Sequence, residues 1–225
     1  MMKKKLFLVA TPIGNYDDIT LRALEILKSV DFIICEEYKI AQRFLAHYKI
    51  KNELISLNEH NEKDVINEIL LKLSEGSSAA LISDCGTPLF SDPGHLLVDV
   101  CISQKIDIIP VPGANSLLPA LTGSGFDIEK FYYYGWLSAK KNLRRKQLLD
   151  LKKRKEAIVI LDTPYRLRRL LADIVNFFGK NIPVVLAYEL TTKNEKYYRD
   201  SAQEVLNIAE KVKLKGEFVL IVNNR

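Results

Sequence analysis

The chain has 225 residues, 48% of them hydrophobic and 27% charged, a balance that fits ordinary folded domains and argues against disorder, collagen-like repeats and coiled coil. Its net charge of +5 is unevenly spread: residues 1–112 hold 12 Lys/Arg against 16 Asp/Glu, a net of −4, and residues 113–225 hold 21 against 12, a net of +9. No apolar run approaches the roughly 18 residues of a membrane span, and Cys35, Cys85 and Cys101 form no CxxC pair, so neither a membrane anchor, a disulfide framework nor a metal cluster is expected, and the compartment reads as a reducing cytoplasm.

In chain order, apolar runs at 6–10, 32–35, 54–57, 79–82 and 106–111 read as strands. Between them, helical spacing runs over 19–30, 65–73 and 96–102. Pro110-Val111-Pro112-Gly113 punctuates the chain, and 116–122 reads as a short helix closed by Gly123 and Gly125. A second set of strand-like runs follows at 131–134, 157–161, 183–188 and 218–222, separated by a basic helix at 142–151 and a helix at 167–178. The expectation is two α/β domains with mixed or parallel sheets, 1–114 and 115–225, jointed near 113–125 and enclosing a cleft.

Three segments rich in Gly, Pro, Asp, Ser and Thr each follow a strand of the first domain: 11–15, 83–94 and 112–116. Loops at the carboxyl ends of strands converge on one crevice in an open α/β sheet, so three such loops predict a pocket whose glycines admit close backbone approach. What they lack narrows the chemistry. There is no GxxxxGK[ST], no GxGxxG after the first strand, no GxSxG and no HExxH among His47, His60 and His95, which argues against P-loop nucleotidases, Rossmann enzymes, serine hydrolases and metalloproteases.

The second half carries nine basic residues between Lys140 and Lys155, with Asp150 as the one acid, a density that suits a polyanion and equally a solvated helix face. Phe131, Tyr132, Tyr133, Tyr134 and Trp136 offer rings for base stacking, although strand alternation sends at least half of them into the core.

Leu8-Val9-Ala10-Thr11-Pro12-Ile13-Gly14-Asn15, Ser83-Asp84 with Gly86-Thr87-Pro88 and Ser91-Asp92-Pro93-Gly94, Pro112-Gly113, Thr163-Pro164-Tyr165-Arg166 and Ala187-Tyr188-Glu189-Leu190-Thr191 together resemble the tetrapyrrole methylase superfamily, in particular its ribosomal RNA small subunit branch. The resemblance spans nearly the whole chain. It implies an S-adenosylmethionine-dependent methyltransferase acting on the ribose 2′-oxygen of a cytidine in the decoding centre of 16S rRNA, with ribosomal RNA or the small subunit as partner and a homodimeric assembly. It places the cofactor on Pro12, Asp84, Cys85, Gly86, Thr87, Pro88, Ser91, Ala114 and Ser116 from the first half, and on Leu161, Ala187 and Tyr188 from the second. Where the branch has Glu-Asp-Thr-Arg and Glu-Ser-Pro-His-Arg, this chain has Glu36-Glu37-Tyr38-Lys39 and Asp162-Thr163-Pro164-Tyr165-Arg166, and it ends soon after the 218–222 run, short of the C-terminal module of longer members.

A ribose hydroxyl needs a positioned base, for which Glu36, Glu62 and Glu189 are candidates beside the competing roles of helix cap and salt bridge. For RNA contact the candidates are Lys140, Lys141, Arg144, Arg145, Lys146, Trp136 and His60. Two other functions share these features: a small-molecule methylase of the same fold, and an RNA-binding protein without catalysis.

Overall fold

Alternation along short apolar runs decides which face each side chain takes, and in the computed structural model, which describes residues 5–58, 60–90 and 92–224, it builds a three-layer first unit. Its strands are β1 (Lys5–Val9), β2 (Phe32–Cys35), β3 (Glu53–Ser56), β4 (Ala79–Ile82) and β5 (Asp107–Val111), all parallel and ordered β3-β2-β4-β1-β5. In β1, Phe7 and Val9 face one layer of core with Ala23, Ile26 and Leu27 of α1 (Leu21–Ser29) and Ala41, Phe44 and Leu45 of α2 (Tyr38–His47). Leu6 faces the other, with Ile66, Ile69 and Leu73 of α3 (Glu62–Ser74) and Leu97 and Cys101 of α4 (His95–Ser103). Thr20 starts α1, its Oγ1 accepting from the Ala23 N–H at 3.1 Å. Removing a fully buried side chain such as Leu27 costs about 2–5 kcal/mol, which is what fixes each helix to its layer.

The chain divides into two compact units, one ending at Asn115 and one starting at Ser116. The second unit has β6 (Phe131–Trp136), β7 (Ala157–Leu161), β8 (Pro183–Tyr188), β9 (Lys196–Ser201) and β10 (Phe218–Asn223), ordered β6-β7-β10-β8-β9. Only β6 and β7 are parallel; the other neighbours run antiparallel. Ile158, Ile160, Leu186 and Leu220 meet buried residues of α6 (Lys141–Leu151), α7 (Leu167–Phe178) and α8 (Ala202–Val212) on one face. On the opposite face lies α5 (Leu117–Thr122), where the Tyr197 hydroxyl donates to the Pro119 carbonyl at 2.9 Å and Arg199 Nε to the Gly123 carbonyl at 3.1 Å.

Both units are α/β, and the strands read from the sequence recur within a residue or two of their expected ends. Three elements, α2, β9 and α8, are not among those read from the sequence. A bulge between Tyr133 and Gly135, the latter at φ +80°, shifts the β6 register and aligns Trp136 with Leu161. Tyr132 and Tyr134 pack against the helix-covered core, as alternation requires of half the aromatic run.

Candidate active site

The order of the first sheet decides where a ligand can sit. The chain leaves β1 and β2 toward α1 and α2 on one face, but leaves β4, which lies between them, toward α4 on the other. Connections diverge around the carboxyl end of β4, and such a divergence opens a crevice. The segment there is 83–94, the longest of the three polar loops.

Hydrogen bonds join the three loops of this unit. Thr11 and Gly86 form an isolated antiparallel bridge, with Thr11 N donating to Gly86 O at 2.9 Å and Gly86 N to Thr11 O at 3.1 Å. The buried Thr11 hydroxyl donates to the Ser83 carbonyl at 3.0 Å, and the Thr87 hydroxyl to the Ala114 carbonyl at 3.3 Å. Gly86 needs to be glycine: its φ is +89°, and a Cβ would stand 3.3 Å from Ile13 Cγ2 and 3.8 Å from the Ala114 carbonyl oxygen. Gly113 is tighter, since a Cβ there would lie 2.9 Å from Ala10 Cβ. Pro12 and Pro88 are buried, Cys85 and Thr87 exposed, and Asp84 and Ala114 half-buried, while Ser91 lies outside the described residues.

Asp84 holds the electrostatics of this edge. Its Oδ1 accepts the Glu37 N–H at 3.2 Å. Burial pushes its carboxyl above the ordinary carboxylate range, helped by the negative charges of Glu37 and Asp92 and opposed by that N–H. A carboxylate so placed favours a cation beside it.

In the second unit Leu161 and Ala187 share one cross-strand row, with Val219 paired to both, and their side chains lie on the face that carries α5. Tyr188 departs from the expected wall. Its side chain alternates to the helix-covered face, where its hydroxyl accepts the Gly216 N–H at 2.7 Å. Ser116 belongs to this unit as the residue preceding α5.

Arg144 is corrected from RNA contact to structural anchor: it is 3% exposed, with Nε 2.5 Å from Asp173 Oδ2 and Nη1 3.4 Å from Asp162 Oδ2. It sits on the inward stripe of α6 with Leu148 and Leu151, whereas Lys140, Lys141, Arg145 and Lys146 remain exposed. Trp136 is 44% exposed at the end of β6. His60 is exposed in the turn before α3, its N–H donating to Asn58 Oδ1, and belongs to the other unit.

The three candidate bases stand in different settings. Glu62 Oε1 accepts the Gly94 N–H at 3.0 Å, closing the far end of the 83–94 loop onto α3. Glu189, at φ +50°, accepts the Glu217 N–H at 2.6 Å through Oε1. Glu36 stands half-buried at the end of β2, its carbonyl taking the Ser56 hydroxyl at 2.9 Å. Sequence reasoning missed Thr11, Ile13 and Gly113 as parts of the site; all three lie in loops it had singled out.

The model of the tetrapyrrole (corrin/porphyrin) methylases matches residues 5–206, which is most of the chain. The chain belongs to the tetrapyrrole methylase family. It is a methyltransferase, and S-adenosylmethionine is its methyl donor. Among curated relatives, ribosomal RNA small subunit methyltransferase I of Synechocystis sp. is 39% identical over 96% of this chain and 78% of its own length. The Thermotoga maritima protein of the same name is 40% identical over 98% of this chain and 99% of its own length. Among solved structures, cobalt precorrin-4 methyltransferase shares the methylase fold at a TM-score of 0.73 with 17% identity, over 97% of this chain and 94% of that one. The residues present fit the donor in charge: Asp84, with Glu37 and Asp92 near it, suits a positively charged sulfonium and amine.

Proposed function

We propose that this methylase modifies small-subunit ribosomal RNA, at the ribose 2′-oxygen of a cytidine of the decoding centre. The observation that carries the reading is a near-full-length identity of 39–40% to relatives named ribosomal RNA small subunit methyltransferase I. The exposed Lys140, Lys141, Arg145 and Lys146 support a polyanionic substrate.

The bound donor supplies an electrophilic methyl group on a sulfonium. Asp84 and the polar backbone groups of the loops at the carboxyl edge of the first sheet would hold and orient that donor. Orientation supplies much of the acceleration of a displacement, because the alternative is a bimolecular encounter in water. Glu36, Glu62 and Glu189 are the candidates for the base that takes the hydroxyl proton.

We also read the enzyme as a cytoplasmic homodimer acting on free rRNA or on the assembled subunit. Its family resemblance supports this; the cysteines at 35, 85 and 101 form no disulfide, and among the described residues no helix is long and apolar enough to cross a membrane. Comparing ribose methylation of small-subunit rRNA from cells with and without the gene tests the proposal. Loss of one 2′-O-methylcytidine is expected, and an unchanged methylation map would overturn it.

A further inference from the structure

Tyr165 is 76% exposed, more than any other aromatic side chain among the described residues. It is not a loose one. Thr163 is extended, Pro164 opens a one-turn helix over Pro164–Arg166, the Arg166 N–H donates to the Thr163 carbonyl at 2.9 Å, and the next residue, Leu167, is fully buried at the start of α7. The side chain is held as well. Arg166 Nη2 donates to the Tyr165 hydroxyl at 3.1 Å with its guanidinium 5.3 Å from the ring centre, and Arg166 Nη1 lies 3.5 Å from Oδ1 of Asp162, which is 2% exposed.

The other oxygen of Asp162 takes Arg144 of α6. One buried carboxylate therefore fixes both the ring and the helix that displays Lys141 and Arg145. Both depart from the same end of the second sheet, where the parallel strands β6 and β7 finish side by side with Trp136 opposite Leu161. An exposed ring beside a guanidinium, next to a row of exposed cations, matches an unpaired nucleobase on its own phosphate backbone: the π-face stacks and the cations take the phosphates.

We propose that Tyr165 is a stacking platform for an unpaired base of the RNA substrate, with Arg166 and Asp162 as its positioning residues. This rests on the rRNA reading above and adds a contact to it.

The test uses the full chain with two probes: small-subunit rRNA in steady-state methyl transfer, and a labelled single-stranded oligoribonucleotide in anisotropy over a salt series. Tyr165→Ala is expected to raise KM for RNA and weaken oligonucleotide binding by about 5- to 150-fold, the effect of losing one stacked base. Its kcat, its affinity for S-adenosylmethionine and the slope of affinity against salt should stay at wild-type values, because stacking releases no counterions. Tyr165→Phe keeps the ring but loses the hydrogen bond from Arg166 Nη2, so it should bind between wild type and Tyr165→Ala. The proposal is overturned if Tyr165→Ala binds and turns over like wild type, or if Tyr165→Phe is as damaged as Tyr165→Ala. A wild-type protein that methylates no rRNA would sink the substrate assignment instead, and the oligonucleotide comparison would still decide Tyr165.

Discussion

Arg144 and Arg145 are adjacent in a basic run, yet the structure gives them opposite duties, and removing each should show it. Arg144→Met withdraws the partner of two carboxylates. Breaking a buried ion pair from one side costs about 3–5 kcal/mol, because a charge is left without compensation. Asp162 keeps the Thr163 N–H at 2.9 Å and Arg166 at 3.5 Å, and Asp173 is partly solvated, so the lower end, about 3 kcal/mol, applies here. For a chain of this size that corresponds to a fall in Tm of about 6–12 °C. Adding Asp162→Asn to Arg144→Met should cost less than the two single changes together, as expected of groups in one network. Arg145→Met should leave Tm unchanged and lower the slope of log affinity for RNA against log salt by up to about 0.7–0.9, one phosphate contact. Thermal melts, and anisotropy at a temperature where both variants are folded, read the two effects. The reasoning is refuted if Arg144→Met melts like wild type, or if it lowers the salt slope as Arg145→Met does.

At Gly86, with φ +89° and Ile13 Cγ2 already 3.3 Å from the missing Cβ, Ala should cost about 1–3 kcal/mol, and Val more through overpacking; calorimetry should find S-adenosylmethionine binding weakened and anisotropy RNA binding nearly intact. Asp84→Asn should weaken the donor's binding while stabilising the unliganded protein at neutral pH. The wild-type carboxyl has a raised folded pKa, so the folded state holds its proton longer, and wild type loses stability as pH climbs from the ordinary carboxylate range through that raised value; the Asn variant escapes this, and melts at acid and neutral pH should show its advantage growing with pH. A thiol reagent should label Cys85 alone in the folded protein, since burial shields Cys35 and Cys101 and pushes both thiols up to about 11, with Asp84 and Glu37 adding to the effect at Cys35; saturating S-adenosylmethionine should slow the labelling of Cys85, and equal rates with and without it would place the donor elsewhere.

Much of this was legible because short apolar runs bounded by polar residues mark buried strands. The runs at 32–35, 79–82 and 157–161 are β2, β4 and β7 as they stand. The missed helices still carried a signal: Ile40, Ala41, Phe44 and Leu45 in α2, and Ala202, Val205, Leu206 and Ala209 in α8, fall at helical spacing, with Ser201 capping α8 through the Glu204 N–H. Strand β9 offered less, because an edge strand such as KYYRDS pairs on one side only and stays polar. In the site, loop composition located the crevice, but its closure through the Thr11–Gly86 bridge is a backbone pairing that composition does not encode. Charge counting treated Arg144 like its neighbours; its place on the inward stripe with Leu148 and Leu151 was readable, whereas its partners, Asp162 just after β7 and Asp173 of α7, were not.

In the proposed function, the carboxyl edge of the first sheet holds S-adenosylmethionine for methyl transfer to small-subunit rRNA. The most direct test of this incubates the full chain and its Asp84→Ala variant with methyl-labelled donor and small-subunit rRNA or assembled subunits, followed by nuclease digestion and mass spectrometry of the nucleosides. Label on the ribose of a single cytidine, made by the wild-type protein and strongly reduced in a folded Asp84→Ala variant, is the predicted result. Label on a base, no label in either substrate, or equal labelling by both proteins would contradict the account.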